Sequence, residues 1–145
     1  MNQIKKLESL DLNVSVPRSS KETMAGIAHL PRMIDKARSY RDNTLGEYIY
    51  PCPLDWHILL FLAANPVDFA DLAEVNDDEQ MTEWAREASR SRNRKERDLV
   101  NGKILNRKVD PEDMPSFLNA RNLIAPTRRD ITTWDGLIDL EEGHI

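Results

Sequence analysis

The stretch from His29 to Ala64 is dense in side chains able to carry charge or move protons, and Arg32, Asp35, Lys36, Arg38, Tyr48 and Asp55 are the candidates among them. The same stretch holds the only cysteine, all three tyrosines and two of the three histidines. The carboxylates and the phenol are suited to acid–base work, and the arginines and lysine to holding an anion or polarising a carbonyl. At helical spacing Arg38 projects near the apolar side made by Ile27 and Ile34, with Asp35 on its flank three residues back. An arginine on an apolar face must reach water with its head group or find carboxylate partners. Asp35, Glu47 and Asp55 are available. Two readings stay open: an ion-pair cluster that fixes one helix against the next segment, or an anion- or carbonyl-binding pocket built from Arg38, Tyr48 and Tyr50. His29, Arg32, Lys36 and Ser39 fall opposite the apolar stripe, and the wheel sends them to solvent.

Other chemistries are less well supported. Cys52 stands just before a helix start with His57 five residues on, but His57 points with Leu60, Phe61 and Ala64, so the thiol reads as a small packing group. Asp55 falls in the first turn of the following helix, where free amides and the dipole favour a carboxylate. It reads first as a cap, and second as a fixed acceptor that orients an arginine, a tyrosine or a ligand. His29, His57 and His144 are scattered, with no H-E-x-x-H pair and no C-x-x-C, so no metal is expected. The five glycines stand singly and none precedes G-K-[ST], so neither a nucleotide nor any other cofactor is expected.

These residues need helices to position them. Ser19 and Glu22 form an S-x-x-E capping box, which predicts a helix over about 20–41 carrying Met24, Ile27, Leu30, Ile34 and Ala37 on one side. Pro31 either kinks that helix or restarts it from a first turn. Asp42–Gly46 is a turn, and the prolines at 51 and 53 force an extended segment before a helix resumes at Pro53 or Leu54. From Ile58 that helix is apolar all round, which predicts a central, buried element. Further starts fall at Asn65–Pro66, at Asn76 or Asp77, at Asp110–Pro111 and at Asp130, the last helix ending near Gly143. Residues 1–18 read as an extended arm. The expectation is an all-α domain over residues 1–145, of six or seven short helices.

Composition narrows the classes further. The chain has 145 residues, 40% hydrophobic and 31% charged, with a net charge of −5. That balance argues against a general nucleic-acid binder, which needs a basic face. Six acids without a base in residues 68–79 are followed by six bases against two acids in 86–97. If one helix runs through the second block, Arg86, Arg90, Arg94 and Arg97 share a face, with Glu83 and Glu87 beside it as salt-bridge partners. The longest apolar run, Ile58–Ala64, is too short to span a bilayer, no signal peptide is indicated, and one cysteine fits a reducing cytoplasm.

The blocks PRS (Pro17–Ser19), HLPRMIDKAR (His29–Arg38), LGEYIY (Leu45–Tyr50) and CPLD (Cys52–Asp55) resemble a largely bacterial family of small helical proteins, domain of unknown function 5069, over about residues 9–64. The resemblance implies a compact helical domain and brings no catalytic assignment. The family's motif residues here are Pro31, Arg32, Asp35, Lys36, Gly46, Glu47, Tyr48, Cys52, Pro53 and Asp55, which adds Arg32 and Lys36 to the candidates despite the wheel. The expected function is a small-molecule-binding protein or metal-independent enzyme, with a polar pocket between the 20–41 helix and the 46–56 segment and an anionic or carbonyl-bearing ligand. The alternative is a helical interaction module, such as a homodimer, meeting its partner through the N-terminal arm and the final helix.

Overall fold

The computed structural model describes residues 7–145. Among them are seven α-helices, one 3-10 turn and a single two-stranded hairpin. The all-α expectation therefore holds, and the hairpin falls where the first half of the first helix was expected. Ser19 does not cap a helix: its carbonyl accepts from Glu22 N at 3.1 Å and its hydroxyl from Lys21 N at 3.1 Å, which closes a turn instead. β1 (Thr23–Met24) and β2 (Ile27–Ala28) then pair antiparallel, Met24 opposite Ile27. The two linking residues, Ala25 and Gly26, have φ of 54° and 75°. Positive φ at both positions suits the right-handed twist of a tight hairpin, and glycine takes it without strain.

Of the two roles open to Pro31, the structure adopts the restart. α1 spans Leu30–Asp42 with Pro31 in its first turn, where a missing N–H costs no helical hydrogen bond, and it follows the left-handed His29. The helix is unkinked by proline and is enclosed on nearly every side. Leu30, Met33, Ile34 and Ala37 are fully buried, and so are most of the polar residues opposite them. A wheel sees only one apolar face. Here the N-terminal arm and the segment after α1 cover the other, with Ser39 Oγ donating to Leu10 O at 2.6 Å and Leu12 N to Thr44 O at 2.8 Å. The arm is irregular over residues 7–18, and its first six residues lie outside the described part.

α2 (Pro53–Phe61) is not the buried centre that its composition suggests. Ile58 and Leu59 are fully enclosed, but Leu60 is 67% exposed and Trp56 also faces out. α3 (Pro66–Val75) starts as expected at Asn65, whose side chain accepts from Val67 N and Asp68 N, and it packs along α1. α4 (Asp78–Ala88) has a reciprocal Asp77–Gln80 capping box. α5 (Arg94–Leu105) restarts after Asn93, so the arginines of 86–97 divide between two helices and an intervening turn. They pair locally, Arg90 with Glu87 and Arg92 with Glu96, and form no continuous basic face. A 3-10 turn at Pro111–Asp113 leads into α6 (Met114–Ile124). Thr133, rather than Asp130, caps α7 (Trp134–Glu142), which ends at Gly143.

Among the described residues, the buried apolar side chains other than Leu12 form two clusters. The larger joins the hairpin, α1, α2, α3, α4 and α5 around Ile34, Ile58, Phe69 and Met81. The smaller, Val109, Phe117, Ile131, Leu137 and Leu140, belongs to α6, α7 and their approaches. No helix among the described residues is long and apolar enough to cross a membrane.

Candidate functional site

Asp55 is the fixed point of the site. It is fully buried in the first turn of α2. Its Oδ2 accepts from Cys52 N at 2.9 Å, and from Lys36 Nζ at 2.7 Å. Its Oδ1 meets His29 Nε2 at 2.7 Å. Burial alone would raise its pKa, but the His29 hydrogen bond and the Lys36 ammonium outweigh it and hold the carboxyl at about 2. His29 moves the other way. Burial lowers its pKa, and the Asp55 contacts offset that only in part, so the imidazole is neutral near pH 7. Asp55 can only accept, so His29 carries its proton on Nε2 and leaves Nδ1 bare. Ser20 Oγ lies 2.9 Å from that Nδ1 and donates to it.

Lys36 projects from α1 one turn beyond Arg32, and its ammonium also donates to Ile49 O at 3.0 Å and Cys52 Sγ at 3.2 Å. It thus ties α1 to both the 46–52 segment and the α2 start. Arg32 makes a two-pronged pair with Glu142 of α7, both contacts at 2.8 Å, and also donates to Arg18 O at 3.2 Å. Its guanidinium stacks 5.6 Å from the Tyr48 ring centre, and Tyr48 Oη donates to Glu142 at 2.9 Å. Burial and the adjoining Glu142 carboxylate push the Tyr48 hydroxyl up to about 12. Burial opposes the charged form of Glu142, but Arg32 outweighs it and keeps the carboxyl below its usual value.

A cavity of about 510 Å³ opens between α1 and the 46–56 segment. Its wall includes Ser20, His29, Arg32, Lys36, Tyr48, Cys52, Arg107 and Ile138. Arg107 Nη2 pairs with Asp135 at 2.8 Å, yet among the described residues its buried Nε has no hydrogen-bond partner, and neither has Asp135 Oδ2. A buried, unpaired polar atom costs about 1–3 kcal/mol, so the enclosed Arg107–Asp135 pair is incompletely satisfied behind the cavity wall.

The structure therefore brings together four of the six candidates, Arg32, Lys36, Tyr48 and Asp55, and takes two elsewhere. Asp35 faces the arm, where Arg18 binds it at 2.9 and 3.0 Å and reaches on to Asp78 at 2.7 Å. Arg38 donates to Asp78 at 3.2 Å and to the carbonyls of Ala73 and Asn76. Both belong to a network that clamps the arm and α3–α4 onto α1. Tyr50, a second member of the expected anion pocket, gives its hydroxyl to Pro66 O at 2.6 Å and packs on Tyr40. The largest departures from the wheel are His29, Arg32, Lys36 and Ser39, sent to solvent but buried in the fold. Ser20 and His29 are cavity residues that helical spacing does not single out. Their pairing depends on the hairpin, which brings residues nine apart side by side, and a helical reading of 20–28 hides it.

His29, Cys52 and Asp55 also place three donor atoms within 4.8 Å of one another, an arrangement that could hold a metal ion. The Lys36 ammonium contacts two of the three, at Cys52 Sγ and Asp55 Oδ2, and supplies the positive charge that an ion would bring. A metal would have to displace that ammonium. Asp110, Glu112 and Asp113 form a second, fully exposed acidic group.

The chain matches the model of the family described as domain of unknown function (DUF5069), over residues 14–144. The chain belongs to that family. The match continues well past residues 9–64, where the sequence motifs concentrate, and takes in α7 with its Glu142. No curated protein matches the chain.

Proposed function

We propose that the protein binds a small molecule bearing a carboxylate, phosphate or polarised carbonyl in the cavity between α1 and the 46–56 segment. The observation that carries the reading is that cavity itself, walled by Arg32, Lys36, Tyr48 and Arg107. Fixed cations and a phenol around a partly apolar hollow are what a small anionic ligand requires. Arg107 adds a third cation to the wall, and Ile138 and Leu54 supply its apolar part. The chain has a single free thiol, Cys52, and a reducing cytoplasm suits it.

The test is thermal unfolding in a series of small carboxylates and phosphates, from acetate and butyrate to succinate and inorganic phosphate. At a ligand concentration about 100 times Kd, binding stabilises by about 2.7 kcal/mol, a clear rise in Tm. Ile138→Trp, which fills the cavity from its apolar side, should abolish the rise. A Tm unmoved by every member of the series would refute the reading. Self-association is the alternative, but Leu137 and Leu140 of the last helix are buried within the chain's own second cluster.

A further inference from the structure

Within that binding site, and resting on it, the structure carries a hydrogen-bonded series that binding alone does not use. Ser20 Oγ lies 2.9 Å from His29 Nδ1, and His29 Nε2 lies 2.7 Å from Asp55 Oδ1. We propose that Ser20 is a nucleophile, His29 its general base and Asp55 the group that orients the base, acting on a small carboxylic ester bound in the cavity.

The geometry meets the requirements of such a set one by one. A serine hydroxyl is a weak nucleophile until a neighbouring base can take its proton in the transition state. His29 offers a bare Nδ1 because Asp55 claims the proton on Nε2, and burial keeps the ring neutral. Asp55 is itself held ionised and immobile by Lys36 and the Cys52 amide. Once His29 takes the serine proton, the imidazolium stands against a fixed negative charge. The ring is turned over relative to the usual arrangement, in which Nε2 serves the serine and Nδ1 the carboxylate. The two nitrogens are chemically equivalent for this purpose, since either can shuttle the proton while the other is anchored. Ser20 and His29 both contribute to the cavity wall, whereas Asp55 stands behind it, fully enclosed. Arg107, on the same wall, brings a guanidinium charge to the cavity in which the attacked carbonyl oxygen becomes negative.

The reaction balances without any further reagent than water. Ser20 Oγ forms a bond to the ester carbonyl carbon as its proton passes to His29 Nδ1. The carbon–oxygen bond to the alcohol breaks, and the departing oxygen takes that proton. Water then attacks the acyl-serine, giving its proton to Nδ1, and the acid leaves as Ser20 recovers its hydrogen. Ester and water become acid and alcohol.

The same contacts would also form if Ser20 merely satisfied a buried histidine, and reactivity separates the two. The full chain is treated with a fluorophosphonate probe, in which a serine–phosphorus bond forms and fluoride leaves, and is then mapped by peptide mass spectrometry. Hydrolysis of p-nitrophenyl butyrate is followed in parallel. The expected result is one adduct, on the peptide holding Ser20, absent in Ser20→Ala. Hydrolysis should fall at least about 100-fold in Ser20→Ala, and similarly in His29→Asn, whose side chain tolerates the left-handed backbone there. Wild-type labelling needs no variant to fold. No adduct at Ser20, an adduct elsewhere, or hydrolysis unchanged in Ser20→Ala overturns the inference. Carboxylates that still raise the Tm of a protein that forms no adduct would remove this inference and leave the binding reading standing.

Discussion

A single carboxylate governs the chemistry of the cavity wall. Asp55 is surrounded by three donors, and each has to be matched because a buried charge without partners is severely destabilising. Lys36→Met removes one donor and leaves Asp55 with His29 and the Cys52 amide. The expected cost is about 3–5 kcal/mol in urea unfolding, far beyond the effect of removing an exposed lysine such as Lys95. The pH response has two stages. His29 has a folded pKa below its ordinary 6.5, so the unfolded chain takes up its proton first. Stability is complete above about pH 6.5 and declines as pH falls towards the folded value. Asp55, at about 2 in the fold against 3.8 unfolded, adds stability that is complete above 3.8 and fades as pH falls towards 2. Unfolding free energies measured from about pH 7 down to about pH 5 should therefore fall in the wild type, and the slope should shrink by up to about one proton in His29→Asn. An unchanged slope would show that His29 is not buried in the neutral form.

At the scale of elements, the site depends on where the chain is forced to turn. Gly46 lies at φ +60°, and a Cβ there would stand 2.8 Å from Leu12 O, so glycine is required both by conformation and by space. Gly143 has φ +81° but open surroundings, so only conformation is at stake. Gly143→Ala should cost about 1 kcal/mol. Gly46→Ala should cost clearly more, because it also pushes the arm from the segment that carries Tyr48. Paired melting curves of the two variants make the comparison, and equal losses would contradict the crowding at Leu12. The same logic explains what the sequence could show. The caps at Asn65 and Asp77, Pro31 in a first turn, and the stop at Gly143 rest on local chemistry, and the chain displays them openly. The hairpin does not. Ser19 and Glu22 imitate a capping box, and only the left-handed Ala25 and His29 reveal that the backbone reverses there. Buried Arg32 and Lys36 were equally hidden, since their partners, Glu142 and Asp55, lie on other helices. For Arg32 and Lys36 the family's motifs pointed inward where periodicity pointed out.

Across the whole molecule, the two apolar clusters are joined largely by polar ties that converge on α7. Ser19 donates to Asp139 at 2.7 Å, His144 Nε2 meets Pro17 O at 3.0 Å, and Glu142 holds both Arg32 and Tyr48. α7 thus closes the wall beside the cavity, Ile138 being part of it. Charge at Glu142 is central to that closure. Its carboxyl is held below its ordinary 4.5 in the fold, so its contribution is complete above about 4.5 and is lost as pH falls through the folded value. Tyr48, raised to about 12, contributes below its ordinary 10 and loses that contribution as pH rises through about 12. The clasp is therefore strongest between about pH 4.5 and 10. Glu142→Gln keeps the shape but removes the charge, leaving the buried Arg32 guanidinium without its carboxylate. The larger cluster does not depend on α7 for its own packing, so the loss should be local before it is global. Amide exchange should quicken over residues 134–144 and over 46–50, while the amides of α1 and α3 keep most of their protection. The same variant should weaken any carboxylate-induced rise in Tm, because the wall that α7 completes is loosened. Protection lost evenly along the chain would instead show that the two clusters unfold as one unit and that Glu142 is no local clasp.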